Sequence, residues 1–200
     1  MLSISTKRKR LLSARFVTDV GVQLITNDEA KIYLNTSVSD EDDLITSMVD
    51  AAVLVFESKT HRTLTSRNVE TVYESTVFPL RLYKPPIQEI VSITTEYQGT
   101  DTVDSVALGN AYLFNKNGLR PEIRFNTSGE LAATNIEAIR IVTKNGYGDA
   151  ASDVPAEILQ AIRMILSQFW DHRDDFEMGT IMQLPWDAQR IINDYEVPVL

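Results

Sequence analysis

The chain has 200 residues, 44% of them apolar and none of them cysteine, so it is long enough to bury a core and forms no disulfide or thiolate metal site. Two histidines are too few for a histidine-rich zinc site. The net charge is −9, but residues 1–15 hold five basic groups and no acidic one, so the rest of the chain sums to −14. A body this acidic is not expected to bind a phosphate backbone tightly, because such binding depends on lysine and arginine.

Residues 1–25 are predicted to form an extended arm that lies against a neighbouring surface, within the subunit or across an interface. A basic cluster in this arm is a candidate contact for DNA or an acidic partner, and the alternative is a solvated terminal arm. The cluster consists of Lys7, Arg8, Lys9 and Arg10. No apolar stretch of useful length follows it, so no signal peptide is expected. The longest apolar run, residues 51–56, is too short to span a membrane.

Two helices are predicted after the arm. Thr26 and Glu29 make a capping-box pattern that opens a short helix. A second box at residues 39–42 is predicted to open a longer helix that ends near Lys59. The apolar stripe of the longer helix is wide, so we expect it to be deeply buried or shared with another subunit. The stripe comprises Ile45, Met48, Val49, Ala52 and Phe56, with Leu44, Ala51 and Val55 beside them.

From Asn68 the apolar period changes to two, which is typical of strands. Turn signals such as Asn117-Gly118 separate the segments. Helical patterns flank the whole region, so residues 67–149 are predicted to be an antiparallel β lobe inserted into a helical core. The predicted strands are residues 69–74, 77–83, 87–97, 103–108, 111–115, 122–125 and 136–143.

The segment from Ile139 to Trp170 joins the two parts. Gly146 and Gly148 are predicted to turn the chain out of the lobe, and Pro155 is predicted to open the main helix. We interpret these three residues as the hinge between the lobe and the core. A dinucleotide-binding loop is not indicated, because Gly146-x-Gly148 lacks the third glycine and does not follow a parallel βαβ unit.

No cluster in the sequence has the pattern of a catalytic, cofactor-binding or metal site, so an enzyme is not predicted. The densest group contains Asp171, His172, Asp174 and Asp175. Consecutive positions fan around a helix axis rather than converge, which favours a solvated helix end. No serine lies in a Gly-x-Ser-x-Gly elbow.

Pro185 is predicted to open a last short helix, and an apolar tail follows at residues 197–200. The fold class is therefore predicted to be α+β, with about four helices in the core. The core is assigned to residues 26–66 and 150–200, of which the C-terminal part is an arm.

Several segments, taken in their order along the chain, resemble the head–tail connector (adaptor) proteins of tailed bacteriophages over about residues 24–196. The first helix, the second helix with its exit, the proline-bounded strands, the Gly-Tyr-Gly turn and the main helix all take part. Two positions differ: the family usually has glycine where this chain has His61, and often a basic residue where it has Glu196. The residues that carry the resemblance include Glu29-Ala30-Lys31, Asp42-Asp43-Leu44, Ala51-Ala52, Arg62, Pro85-Pro86-Ile87, Gly146-Tyr147-Gly148, Val154-Pro155, Trp170 and Pro185 to Tyr195.

The resemblance implies a structural virion protein that needs no cofactor. It implies a homo-oligomeric ring, expected to be dodecameric, that is assembled in the host cytoplasm and docks on the portal beneath the capsid. The ring is expected to receive a stopper or tail protein, and double-stranded DNA is expected to pass through its lumen without sequence-specific binding. No membrane partner is expected. Two helices too apolar for a lone monomer agree with this interpretation, as does the acidic body.

In that family the C-terminal segment commonly reaches the portal. The resemblance therefore implies portal contacts at Trp186, Ile191, Ile192, Tyr195 and Leu200. Truncation after Leu184 is expected to abolish docking and leave the fold intact. The competing hypothesis is a monomeric binding module in which the β lobe recognises a host protein or a polysaccharide.

Overall fold

The computed structural model describes residues 10–17, 22–37, 40–74, 79–98, 103–125, 136–172 and 184–198. The chain divides into two compact units. Unit 1 comprises Met1–Val20 and Ser66–Tyr147, and unit 2 comprises Gly21–Thr65 and Gly148–Leu200. Unit 1 holds antiparallel sheets and unit 2 holds α-helices, which confirms the predicted α+β class.

Unit 1 is built from two antiparallel sheets. The five-stranded sheet has the order β1-β2-β8-β4-β5, and the three-stranded sheet has the order β3-β7-β6. A short 3-10 helix at Leu108–Asn110 precedes β6. The strands are β1 Arg10–Phe16, β2 Arg67–Glu74, β3 Leu80–Arg81, β4 Ile87–Tyr97, β5 Val103–Ser105, β6 Ala111–Phe114, β7 Glu122–Phe125 and β8 Ile136–Asn145.

One cluster of buried apolar side chains forms the core of unit 1. Successive residues of a strand point to opposite faces, so Ile139 and Ile141 of β8 enter the core together. Ile93 of β4 lies opposite Ile141 in the five-stranded sheet. Leu80 and Ile123, which pair in the three-stranded sheet, belong to the same cluster. The core therefore draws side chains from both sheets.

Two of the predicted strands are shorter in the structure. The strand predicted at residues 103–108 ends at Ser105, and a 3-10 helix begins at Leu108. The strand predicted at residues 77–83 is reduced to Leu80–Arg81, and residues 75–78 lie outside the described part of the chain. Pro79 has no backbone N–H to give to a ladder, which agrees with a short strand. β1 lies in the segment predicted as an extended arm, and it pairs with β2 from Arg10 to Phe16. That pairing joins segments far apart in sequence, which a local apolar pattern does not encode.

Unit 2 holds the four helices of the described residues. Thr26 caps the first helix, and the predicted capping box is confirmed. The Glu29 amide donates to the Thr26 hydroxyl over 3.3 Å, and the Thr26 amide donates to the Glu29 carboxylate over 3.0 Å. The hydrogen bonds from the backbone and the hydroxyl of Thr26 lower the pKa of Glu29. The helices are α1 Asn27–Leu34, α2 Asp42–Thr60, α3 Ala156–Asp171 and α4 Trp186–Tyr195.

The N-terminus of α2 departs from the sequence-based expectation, and the C-terminus of α2 ends in a residue with left-handed backbone geometry. The second capping box is wrong, because the N-cap is Glu41 and its side chain makes no capping hydrogen bond. His61 caps the C-terminus with φ 55° and ψ 31°. This left-handed conformation is one that glycine adopts more readily than a residue with a side chain.

The core of unit 2 forms between α2 and α3, as their apolar stripes predict. The central residues of both stripes are buried, and burying each of the large side chains among them stabilises the fold by about 1.5–3 kcal/mol. Pro155 is the N-cap of α3, in agreement with its predicted place at the helix start. The buried residues of the two stripes are Ile45, Val49, Ala52 and Phe56 of α2, and Ile158, Ala161, Ile162, Ile165, Leu166 and Phe169 of α3.

Candidate functional site

The acidic end of α3 does not assemble a reaction centre in the part of it that is described. His172 is the C-cap of α3, and its Nδ1 lies 3.1 Å from the Gln168 side-chain nitrogen. Asp171 and His172 are both exposed, and Asp174 and Asp175 lie outside the described residues. Among the residues that the structure describes, no three histidine, aspartate or glutamate side chains converge on a metal position. No helix among them is both long and apolar enough to cross a membrane.

The helix α4 is attached to unit 2 through its apolar side. Ala188 and Ile192 are buried, and Val197 after the helix is also buried. The Val197 amide donates to the Thr60 carbonyl over 2.9 Å, which joins the segment after α4 to the end of α2. The C-terminal segment is therefore part of the unit 2 core as far as residue 198.

Arg62 holds the C-terminal end of α4, a contact that the sequence did not indicate. Its side chain is buried, its Nε donates to the Tyr195 carbonyl over 2.7 Å, and its guanidinium lies 5.7 Å from the centroid of the Tyr195 ring. The Tyr195 hydroxyl donates to the Glu157 carboxylate over 3.2 Å. An arginine directly after a predicted helix is usually solvated, so only the long-range contact with Tyr195 reveals this role.

The five predicted portal contacts therefore differ in accessibility. Trp186, the first residue of α4, is 77% exposed. Ile191 and Tyr195 are half-buried, and Ile192 is 1% exposed. Leu200 lies outside the described residues. Truncation after Leu184 would remove buried side chains as well as Trp186, so the expectation that it leaves the fold intact is not supported.

The Gly-Tyr-Gly junction uses its two glycines for different reasons. Gly146 has φ 124°, a conformation that L side chains rarely adopt, and its amide donates to the Pro86 carbonyl over 2.9 Å. Gly148 needs the absence of a side chain, because a Cβ atom there would clash with the Asp153 carboxylate. That carboxylate accepts from the Ala150 amide over 2.9 Å, immediately before the short 3-10 helix at Ala151–Asp153.

An ion-pair ladder crosses four strands of the five-stranded sheet. It consists of Arg15, Glu70, Arg140 and Glu96, one residue each from β1, β2, β8 and β4. The three contacts measure 2.7, 2.8 and 2.6 Å in that order. Burial opposes ionisation of Glu70, but hydrogen bonds from Arg140 and Arg15 outweigh it, so the pKa of Glu70 lies below its ordinary value. The ladder links four neighbouring strands, and each of its charges is paired with an opposite charge.

The outer face of the three-stranded sheet carries exposed aromatic and basic side chains. Tyr112 and Phe114 are 42% and 46% exposed. Arg124 lies opposite Tyr112, and its guanidinium is 3.7 Å from the centroid of the Phe114 ring. Arg124 also contacts the Glu122 carboxylate over 2.9 Å. This combination of aromatic rings and arginine is typical of protein interfaces.

The predicted basic cluster is described only at its last residue. Lys7, Arg8 and Lys9 lie outside the described residues, and Arg10 begins β1 opposite Glu74. The choice between a contact with DNA or an acidic partner and a solvated arm stays open.

The fold is shared with chains of gene transfer agent particles. A chain from the neck of an empty gene transfer agent particle, computed with C6 symmetry, aligns with a TM-score of 0.74 and 19% identity, covering 94% of this chain and 97% of that one. A chain from the virion of a native gene transfer agent particle aligns over the same shares, with a TM-score of 0.73 and 19% identity. A chain from the neck of a native gene transfer agent particle, computed with C12 symmetry, aligns with a TM-score of 0.71 and 18% identity, again covering 94% of this chain and 97% of that one. The sequence matches no protein-family model and no curated protein.

Proposed function

We propose that this chain is a structural virion protein of the head–tail neck, and that it acts as a connector between a DNA-filled capsid and a tail or stopper. The observation that carries the proposal is the fold alignment with chains from gene transfer agent particles over nearly the full length of both partners. The resemblance of its ordered sequence segments to phage connectors supports the same role independently.

In this role the chain forms a homo-oligomeric ring in which twelve copies surround a channel. The C6 and C12 symmetries of the necks that contain its structural neighbours support such a ring. A net charge of −9 suits a channel wall that duplex DNA passes without being retained, because few cations are available to displace its counterions. Assembly in the host cytoplasm and incorporation into the virion belong to the same proposal.

Docking on the portal is assigned to the C-terminal part of unit 2, with Trp186 as its main contact. Exposed tryptophan is among the residues that contribute most to protein interfaces. Ile192 is not available to a partner while α4 keeps its place, because its side chain is already buried. Trp186 needs no such rearrangement, since 77% of its surface is accessible.

Electron microscopy of this protein mixed with the purified portal of the same virus tests the role. We expect a ring stacked on the portal. A protein that stays monomeric and shows no affinity for portal rings would contradict the connector role and favour the monomeric binding module.

Substitution of Trp186 tests the contact itself. Trp186→Ala is expected to weaken portal binding at least about thirtyfold, the equivalent of about 2 kcal/mol for an interface hot spot. The free energy of unfolding should change by less than about 0.5 kcal/mol, because the side chain is exposed. Ile32→Ala is the matched control, since Ile32 is 81% exposed on α1. Equal portal affinity of the two variants, measured by biolayer interferometry, would show that Trp186 is not the contact.

A further inference from the structure

The two units carry opposite net charges. Unit 1 contains thirteen basic and ten acidic residues, a formal charge of +3, whereas unit 2 contains six basic and eighteen acidic residues, a formal charge of −12. The positive charge of unit 1 comes from residues 1–20, which sum to +4, while residues 66–147 sum to −1, so docking depends on local groups rather than on the net charge of the unit. Surfaces of opposite sign attract each other and raise association rates when they belong to different molecules.

In unit 1 the basic and apolar groups meet on one surface, which we call the β6–β7 face: Tyr112, Phe114 and Arg124 with the turn residues Lys116 and Arg120. Lys116 and Arg120 are exposed at the connection between the two strands. Within the described part of the chain neither side chain forms an ion pair. Arg124 is paired with Glu122, so the cations of the face that no described residue neutralises are Lys116 and Arg120.

In unit 2 a surface of complementary composition runs along α2. Asp43, Ser47, Asp50 and Leu54 follow one another at helical spacing, and all four are exposed. We call them the α2 outer stripe. Leu54 is 59% exposed, and within the described residues the Asp43 and Asp50 carboxylates form no ion pair. This stripe lies on the side of α2 away from its buried residues, and it combines two free carboxylates with an exposed leucine.

We propose that the β6–β7 face of one copy docks on the α2 outer stripe of a second copy. Lys116 and Arg120 would meet the carboxylates of Asp43 and Asp50, while the aromatic rings cover Leu54. Because the two surfaces differ, the contact is heterologous, and its repetition generates a closed ring when the rotation between copies permits closure. The inference rests on the proposed ring and names the surfaces that build it.

A nucleic acid is the competing occupant of the β6–β7 face. Contacts to a duplex backbone are made mainly by lysine and arginine, and a duplex keeps its bases stacked, so it offers little apolar surface for an exposed phenylalanine ring to cover. The rings, together with an arginine stacked on one of them, favour a protein partner that also offers an apolar side chain. The α2 outer stripe supplies both that side chain and the opposite charge.

Charge reversal on each surface tests the contact. One variant carries Lys116→Glu and Arg120→Glu, a second carries Asp43→Lys and Asp50→Lys, and a third carries all four substitutions. A matched control carries Glu89→Lys and Glu137→Lys, two exposed carboxylates on strands of unit 1. The copies bound side by side on purified portal are counted by native mass spectrometry and electron microscopy, with circular dichroism as the check on folding.

Each two-residue variant should lose lateral assembly at least about tenfold, because like charges then face each other. A mixture of the two variants should restore rings, since every second contact pairs the reversed surfaces and the others are unchanged. The four-residue variant should restore rings alone, and the control should match the wild type. Wild-type assembly should also weaken between about 0.05 M and about 0.5 M salt, because salt screens the attraction.

Undiminished rings from either two-residue variant would overturn this contact while leaving the connector role standing. Loss without recovery in the mixture and in the four-residue variant would overturn it as well. Fluorescence anisotropy with duplex DNA gives a further arm: intact rings but lost DNA binding in the Lys116 and Arg120 variant would assign the face to DNA instead. A wild-type chain that stays monomeric on the portal would overturn both this contact and the connector role.

Discussion

Units 1 and 2 are stabilised in different ways. Unit 2 buries two apolar helix stripes against each other, and its centre holds side chains such as Phe56 and Ile162 that are fully buried. Unit 1 also has an apolar core, but its large sheet is tied across four strands by the ion-pair ladder. Apolar burial does not depend on ionisation, whereas the ladder does. The comparison teaches that acid should weaken unit 1 through the ladder, whereas the buried stripe residues of α2 and α3 that pack against each other, such as Phe56 and Ile162, carry no ionisable group.

The largest expected effect is in the core of unit 2. Phe56→Ala should lower the free energy of unfolding by about 3–5 kcal/mol, because it removes a fully buried ring and leaves a cavity. Urea denaturation followed by tryptophan fluorescence measures this in unit 2, which contains both tryptophans, Trp170 and Trp186. Leu54→Ala on the same helix is the control, and its effect should stay below about 1 kcal/mol because Leu54 is 59% exposed. Equal effects of the two would contradict the assigned faces of α2.

The next effect concerns the ladder of unit 1. Glu70→Gln should destabilise unit 1 by about 1.5–3 kcal/mol, because glutamine has no negative charge and turns an NH2 donor towards one of the two arginines, Arg15 and Arg140. The pKa of Glu70 is lower in the folded state than in the unfolded chain, so its contribution is present above the unfolded pKa, near 4.3. The contribution is lost as pH falls through that value towards the lowered folded pKa.

The pH dependence separates the ladder from the core. Hydrogen exchange of β2 and β8 should show that wild-type unit 1 loses protection on acidification more than Glu70→Gln does. A variant whose protection falls with pH as steeply as that of the wild type would show that the ladder does not supply the acid sensitivity of unit 1. Phe56→Ala should leave the slope of this dependence unchanged, since it removes no charge.

The smallest of the three effects lies at the junction. Gly146→Val should cost about 1–3 kcal/mol, because valine must adopt the positive φ of 124° that glycine holds there. Gly109→Val is the control, since a Cβ at Gly109 meets no atom within 4 Å and its φ is not in the left-handed range. Urea midpoints of the two variants should differ. A near-neutral Gly146→Val would mean that the junction can relax to a conformation open to any residue.

Local sequence signals predicted most of the elements. The Thr26–Glu29 capping box, the apolar stripes of α2 and α3 and the two-residue period of β4 and β8 act between near neighbours, and each is found in the structure. Signals failed where a cap or a strand depended on something outside the segment. The N-cap of α2 is Glu41, which makes no side-chain capping hydrogen bond, so the predicted capping box is not formed. β1 is a strand because it pairs with β2.

The candidate contacts were less predictable than the elements. Apolar residues of α4 indicated an interface, but Ile192 and Trp186 were indistinguishable in the sequence because both fit the amphipathic pattern. Their separation into a core residue and an exposed one depends on where α2 and α3 lie against α4. Arg62 and the β6–β7 face likewise depend on partners far along the chain.

The sequence by itself therefore determined the α+β class, the helix and strand periods and the glycine turn at Gly146, because each follows from the conformational preferences and polarity of adjacent residues. Only the tertiary structure decided which apolar side chains are buried and how Arg15, Glu70, Arg140 and Glu96 line up across four strands. It also decided which charges of the β6–β7 face and the α2 outer stripe form no ion pair with a described residue. The physical reason is that burial and ion pairing depend on contacts between segments that are distant in sequence. The type of a residue sets its polarity and charge, but it does not set which residues lie next to it in the fold.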